Sequence, residues 1–554
     1  GQQHAGHTQI TSKAIDCSGQ DNVFLVLEQY FRVFQTSDSE CHIEISTDNM
    51  AWTSVYTNDI QTPIGQVLGL DISNIAANQA EVYIRFRFQS QIDYYWIIDE
   101  VKVLDPVEIE LELLSVSVDP YVVAPGQANI EVKVRNGGSG TITDANLFFY
   151  TTDSTQTTGG SVSLNIGPFG SKTITLPNSL PVDVPGKLEF TVMSDLADAN
   201  LNNQKLGGFL YGLSFLPKKV VAFEEATGTW CGWCPRGTVN MDELHDRYPE
   251  TTALIAVHNN DPMVVSAYDS WMGQQISGYP SGLIDRHPDP VDPGNFVDEY
   301  ASFLQKTGPA ELTVSAGFDG ATRKVSIDVT TIFATPMNDE DFRIALVVTE
   351  NGVTGTGSAW NQRNYYAGGG RGPMGGYENL PDPVPAAQMV YEHVARAIIG
   401  GATGKAGVIP TEITANTEYL YNASYTVPAS YDVNEMEVIA LLINNATGEI
   451  VGTGKAPVAA GTGIKQYGDA KFIMGIQNNP FEDVLKVNIM SPSAGDITFT
   501  LFDAMGRAVM NETRSVNQGD NAFAFDNLEI PNGVYTLTAN MGTLGTMVER
   551  VVAK

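Results

Sequence analysis

Apolar and polar positions alternate with a period near two along most of this 554-residue chain, the pattern of half-buried strands. Over 1–105 the runs "NVFLVLEQYFRVF", "CHIEIS", "EVYIRFRF" and "YYWIIDEVKVL" are β-branched and aromatic. Turn residues such as "SDSE", "STDN" and "SQID" separate them, which predicts an all-β domain. Over 106–213 a second set ("IELELLSVSVDP", "ANIEVKVRNGGSG", "DANLFFYT", "SVSLNIG", "SKTITLP", "KLEFTVMSD") recurs at the spacing of an immunoglobulin-like sandwich.

The period changes at 214–308. Strand "KKVVAFEEA" leads to helical "PRGTVNMDELHDRY", then strand "TALIAVH", helical "VVSAYDSWMGQQIS", strand-opening "GYPSGLID" and helical "PGNFVDEYASFLQK". Alternating strands and helices predict an α/β domain. Residues 309–462 return to β with "AELTVSAGF", "KVSIDVTTIF", "FRIALVVTEN", "YLYNASYTV" and "MEVIALLIN". A Gly-rich loop and an expected short helix interrupt them at 360–398. Small residues in "APVAAGTGIKQYG" (456–468) mark a linker, and 463–554 is a last small β domain. The expected fold class is thus multidomain and mostly β, with one α/β domain.

Composition narrows the partners. The formal net charge is −33, from 31 basic and 64 acidic residues. Binding nucleic acid needs a basic stripe to neutralise phosphates, so a nucleic-acid partner is excluded. No apolar run approaches the ~18–20 residues of a membrane helix, so no transmembrane segment is expected. The polar start, "GQQHAGHTQITSK", is no signal peptide; one is expected to have been removed or to lie upstream.

Two of the four cysteines lie in "TGTWCGWCPRG". A CxxC at the mouth of a helix places the first sulfur where the helix dipole and free N–H groups stabilise a thiolate. Cys231 is therefore the expected nucleophile and more exposed sulfur, with Cys234 the resolving thiol behind it. Pro235 suits the first helical turn. Half a zinc site is the competing reading, but no second ligand pair lies nearby. Pro280 in "SGYPSG" opens a strand after a helix, where thioredoxin folds place a cis-proline beside the dithiol. Glu224 and Glu225 point to opposite faces of the leading strand. One of them, taken as Glu225, is expected beneath the dithiol as an acid/base group with a raised pKa; surface acids are the alternative.

Cys17 and Cys41 are left over, and are expected to form a structural disulfide; two buried free thiols are the alternative. The loop "SDLADANLNNQ" reads as a polar turn or a Ca²⁺ loop. "GGGRG" lacks the GK[ST] of a phosphate loop, which excludes nucleotide binding. Trp360, Tyr365, Tyr366 and Tyr377 around it read either as a contact surface or as packing against the α/β domain.

These residues also carry resemblances. "FEEATGTWCGWCPRG", "IAVHNNDPM", "SGYPSGLIDR" and "WNQRNYYAGGG…VYEHVARAI" resemble the Omp-twenty-eight-related outer membrane protein family of Bacteroidota over roughly 214–460. That implies a thioredoxin-like domain followed by a β domain as one unit, in a surface protein for which adhesion has been proposed. "NNPFEDVLKVNI", "ITFTLFDAMGRAV" and "NGVYTLTANMGTLGTMVERVVAK" resemble a type IX secretion sorting domain, with Asn478-Asn479-Pro480 where Pro-Asn-Pro is usual. That implies export through the type IX translocon by residues 463–554. "AIDCSGQDNVFLVLEQYFRVF", "IEISTDNMAWTSVY" and "YYWIIDEVKV" resemble the jelly roll of MAM domains and cleaved adhesins. Only about fourteen residues precede "IDCSG", so an N-terminally truncated module is expected. The resemblance implies Asp99 as a calcium ligand position, with a structural acceptor as the alternative. No cofactor beyond calcium is implied. Two functions follow: a secreted interaction protein (adhesin or assembly subunit) whose partner is a surface protein or glycan, or an extracellular thiol–disulfide oxidoreductase using Cys231 and Cys234.

Overall fold

The computed structural model describes residues 6–33, 39–90, 94–152, 158–198, 200, 202–460, 472–476, 480–491, 493–503, 505–526, 528 and 530–554. Most of the linker and the Asn478-Asn479 pair lie outside them. The molecule is mostly β, with nine sheets among the described residues, and divides into two compact units. One comprises 1–316, 327–424 and 430–458; the other comprises 317–326, 425–429 and 459–554.

In the first unit, a four-stranded and a three-stranded sheet enclose a core that includes Leu25, Leu27, Ile43, Ile45 and Ile84. The Cys17–Cys41 disulfide is not formed; both are free, buried thiols. Strand 83–90 shows why. Cys41 stands opposite Phe88, whereas Ile15, two residues before Cys17, bridges to Val82. Six residues of extended chain span ~20 Å, and a disulfide needs Cα atoms within ~7 Å. Burial pushes the Cys41 thiol up to about 11. Over 106–213, three- and five-stranded sheets pack around Ile130, Val132, Leu147 and Phe190.

The site is positioned by a seven-stranded sheet. Its strands are β1 (Val221–Thr227), β2 (Thr252–His258), β3 (Ser281–Ile284), β4 (Phe342–Glu350), β5 (Val394–Ile399), β6 (Met436–Asn444) and β7 (Ile450–Pro457), in the order β3-β1-β2-β5-β4-β6-β7. Three helices accompany it: α1 (Pro235–Arg247), α2 (Ser266–Gln275) and α3 (Phe296–Leu304). β1 and β2 are parallel; β3 runs antiparallel to β1. β1 and β2 are buried at every position, as strands covered on both faces must be.

β4 to β7 continue, across residues 308/309, the sheet that β1 to β3 begin. One expectation is corrected here. The short helix expected before 398 is strand β5, whose "VARAII" sits between β2 and β4. A short apolar run suits either period, and pairing with β4 from Leu346↔Ile399 to Glu350↔Val394 decides it. In the second unit, sheets of three and four strands pack around Leu485, Val487, Ile497, Phe499, Leu501 and Leu537.

Candidate functional site

The dithiol loop links the end of β1 to α1. Cys231 and Cys234 are disulfide-bonded, with Cα atoms 5.4 Å apart. Cys234 is the N-cap of α1 and Pro235 occupies its first turn. A thirteen-residue helix directs its dipole and free N–H groups at these sulfurs. Both residues are buried, Cys231 at 4% exposure and Cys234 at 0%. Cys231 is the more exposed of the pair, in the order the sequence suggests, but it too is covered.

The cover comes from the Gly-rich insertion. Arg363 N–H donates to Thr229 O (2.7 Å) and Tyr365 N–H to Gly232 O (2.8 Å). Gln362 Nε2 donates to Cys231 O (2.9 Å). The rings of Tyr365 and Tyr366 meet Trp233 edge-on at 5.4 and 5.8 Å, and the Arg371 guanidinium lies 4.3 Å from the Trp233 centroid. Tyr365, Tyr366 and the arginine of "GGGRG" therefore pack on the dithiol loop. Trp360 and Tyr377 instead pack beside a separate cluster of Met263, Val353, Val384 and Tyr391.

Pro280 follows a cis peptide bond and precedes β3, which pairs with β1 from Ala226↔Ser281 onward. Tyr279 and Trp230 meet at 5.3 Å, bringing this segment beside the dithiol loop.

The two glutamates of β1 part as strand geometry requires. Glu224 accepts from Arg286 Nε (2.8 Å), from Arg286 Nη2 (2.7 Å) and from the Tyr268 hydroxyl of α2. Glu225 points the other way, under the first turn of α1. A Cβ on Gly237 would collide with its Oε1. That oxygen has no hydrogen-bond partner. Burial raises the Glu225 carboxyl to about 8; a hydrogen bond to Thr227 acts against the shift, and Asp242 adds to it. Glu225 lines a cavity of about 20 Å³ with Asp242, His258, Gln362, Tyr391 and His393, large enough for one water-sized molecule. Burial also raises Asp242, to about 6, and lowers His393, to about 3. His258 Nδ1 lies 2.7 Å from Asp261 Oδ2.

Sequence reasoning did not single out Arg286, Tyr268, Gln362 or Asp242. Arg286 follows "SGLID" and Tyr268 lies within "SAYDSW", but nothing in their spacing announces a shared partner in Glu224. Asp99 is exposed, and its Oδ1 accepts the N–H of Glu100 at 2.8 Å. In "SDLADANLNNQ", of which 199 and 201 lie outside the described residues, Asp198 accepts from Leu111 N–H and Asn200 N–H. Among the described residues, no group of three or more His, Cys, Asp or Glu is arranged to hold a metal ion.

Residues 266–458 match the family model "Outer membrane protein Omp28", and residues 478–554 match the "Secretion system C-terminal sorting domain". The first match begins at α2, so the dithiol lies outside it, whereas the resemblance read from the sequence began at 214. No curated protein matches the chain. Among solved structures, HBP35 of Porphyromonas gingivalis is 17% identical, covering 61% of this chain and 99% of its own, with a TM-score of 0.34. A CARDB domain of Pyrococcus furiosus, solved with two metal ions, is 19% identical over 19% of this chain and 94% of its own (TM-score 0.16). A protein of Agrobacterium tumefaciens is 12% identical over 45% of this chain and 99% of its own (TM-score 0.28). An Omp28 region joined to a type IX sorting domain makes this a secreted, outer-membrane-associated protein of the cell surface.

Proposed function

We propose that this surface protein is an interaction protein, an adhesin or assembly subunit, carrying a thioredoxin-like thiol–disulfide exchange module. The observation that carries the exchange reading is Glu225: a fully buried carboxyl with an unpartnered oxygen, set against Gly237, which follows Cys234 by one helical turn. An acid in that place costs stability and makes no ion pair, so its role is chemical.

The chemistry balances as follows. A partner thiolate attacks Cys231 Sγ, forming a mixed disulfide and breaking the bond to Cys234. Cys234 leaves as a thiolate and takes a proton from Glu225, which is mostly protonated at neutral pH because its pKa is about 8. A second thiolate of the partner attacks its own sulfur in the mixed disulfide. Cys231 is released as a thiolate facing the N-terminus of α1. The partner gives up two electrons and becomes a disulfide; Cys231 and Cys234 end reduced. The Tyr279–Pro280 segment beside Trp230 flanks the site of attack.

The interaction reading rests on a different surface. Tyr94, Tyr95, Ile97 and Val101 are exposed on and beside strand 95–104, an aromatic and apolar row of the sort that glycans or protein surfaces stack on. Paired assays separate the two. Cys231→Ser is expected to abolish insulin reduction and leave surface binding near wild type. Loss of both would make the dithiol the functional centre; no exchange by the wild type under any condition would remove the enzyme reading.

A further inference from the structure

Residues 361–366, which follow the 3-10 turn Ser358–Trp360, lie against the dithiol loop. Arg363 and Tyr365, two residues apart, direct their N–H groups at Thr229 O and Gly232 O. Between them Gln362 reaches Cys231 O, and at one end Thr229 Oγ1 donates to Ala359 O (3.0 Å). Exposure alternates along the segment: Gln362, Asn364 and Tyr366 are buried, Arg363 and Tyr365 exposed. That is the period of extended chain with one face docked. The Tyr365 ring rests on Gly232 so closely that a Cβ there would lie 2.5 Å from it. Beyond it, positive φ at Gly368, Gly369 and Gly372 turns the chain away.

Main-chain hydrogen bonds are sequence-independent, so another chain whose N–H groups reach Thr229 O and Gly232 O, three residues apart in the loop, fits the same acceptors. We propose that residues 359–366 are a built-in occupant of a polypeptide-binding surface beside Cys231, and that this surface receives a partner segment carrying an aromatic side chain over Gly232 once the occupant is displaced. The occupant keeps the disulfide buried, and Tyr365 is the residue whose place the partner takes. The proposal rests on the exchange reading only for what the partner does after it docks.

The test is the rate at which a phosphine reduces Cys231–Cys234 in the folded full chain. The phosphine supplies two electrons, the sulfurs become two thiols with protons from water, and the phosphine leaves as its oxide. Released thiols are alkylated and counted by mass. Tyr365→Ala is expected to speed reduction at least tenfold, and Tyr365→Ala with Gln362→Ala further. Tyr365 is 43% exposed, so the single variant decides if the double variant unfolds. Unchanged rates in a folded Tyr365→Ala protein overturn the proposal. So does amide exchange at Arg363 and Tyr365 in the wild type as fast as in an unstructured peptide. An opened variant that is reduced quickly yet leaves insulin untouched upholds the occupant and defeats the exchange reading. Insulin turnover by the wild type with no acceleration in the variants does the reverse.

Discussion

Glu224 and Glu225 are the same residue type, adjacent on β1 and equally buried at 0% and 1% exposure. One faces α2, where Arg286 and Tyr268 satisfy it and Trp271 stacks on the guanidinium at 4.1 Å. The other faces α1, where a small cavity leaves one of its oxygens unpartnered. A buried carboxylate that is paired holds structure; one that is unpaired gives up its charge and keeps a proton. The difference lies in what each face of the sheet packs against.

Breaking the paired side has the largest expected effect. Glu224→Gln leaves the Arg286 guanidinium buried without its counter-charge, at a cost of about 3–5 kcal/mol, read from urea unfolding. The unpaired side responds with the opposite sign. Glu225 titrates near 8 in the folded protein and near 4.5 when unfolded. Its contribution is fully present below 4.5, is lost as pH rises to 8, and then stays lost. Glu225→Gln therefore stabilises at pH 9, by up to about 5 kcal/mol at about 1.4 kcal/mol per pKa unit, and flattens the slope between pH 5 and 8. Unfolding curves at pH 5 and 9 check both. Gly237→Ala pushes a methyl group into Glu225 and is expected to cost about 1–3 kcal/mol, while the same change at Gly273, which meets nothing within 4 Å, does not. Smallest of all is the contrast between the cysteine pairs. In denaturant without reductant, two thiols per chain should alkylate, Cys17 and Cys41, and their loss to Ala should leave the Cys231–Cys234 bridge intact.

The dithiol and the opposed glutamates were legible because their signals are local: a two-residue gap between cysteines, and the period of a strand. The strands of β1 and β2 read clearly for the same reason. What did not read was long-range. The missing Cys17–Cys41 bridge depends on register along strand 83–90, which neither cysteine's surroundings encode. Strand β5 looked helical because "VARAII" is short and apolar, and only its pairing with the distant β4 makes it a strand. The cover over Cys231 comes from about 130 residues downstream. Its aromatics were visible as candidates for packing, but nothing in them named Gly232 as the seat.

The most direct test is an infrared titration of the folded chain between pH 5 and 9, with Glu225→Gln as the reference. A protonated-carboxyl band that persists at pH 7, disappears with a midpoint near 8 and is absent from the variant is the predicted result. A Glu225 already ionised at pH 6 would contradict the account, because the site would then hold no proton to give Cys234.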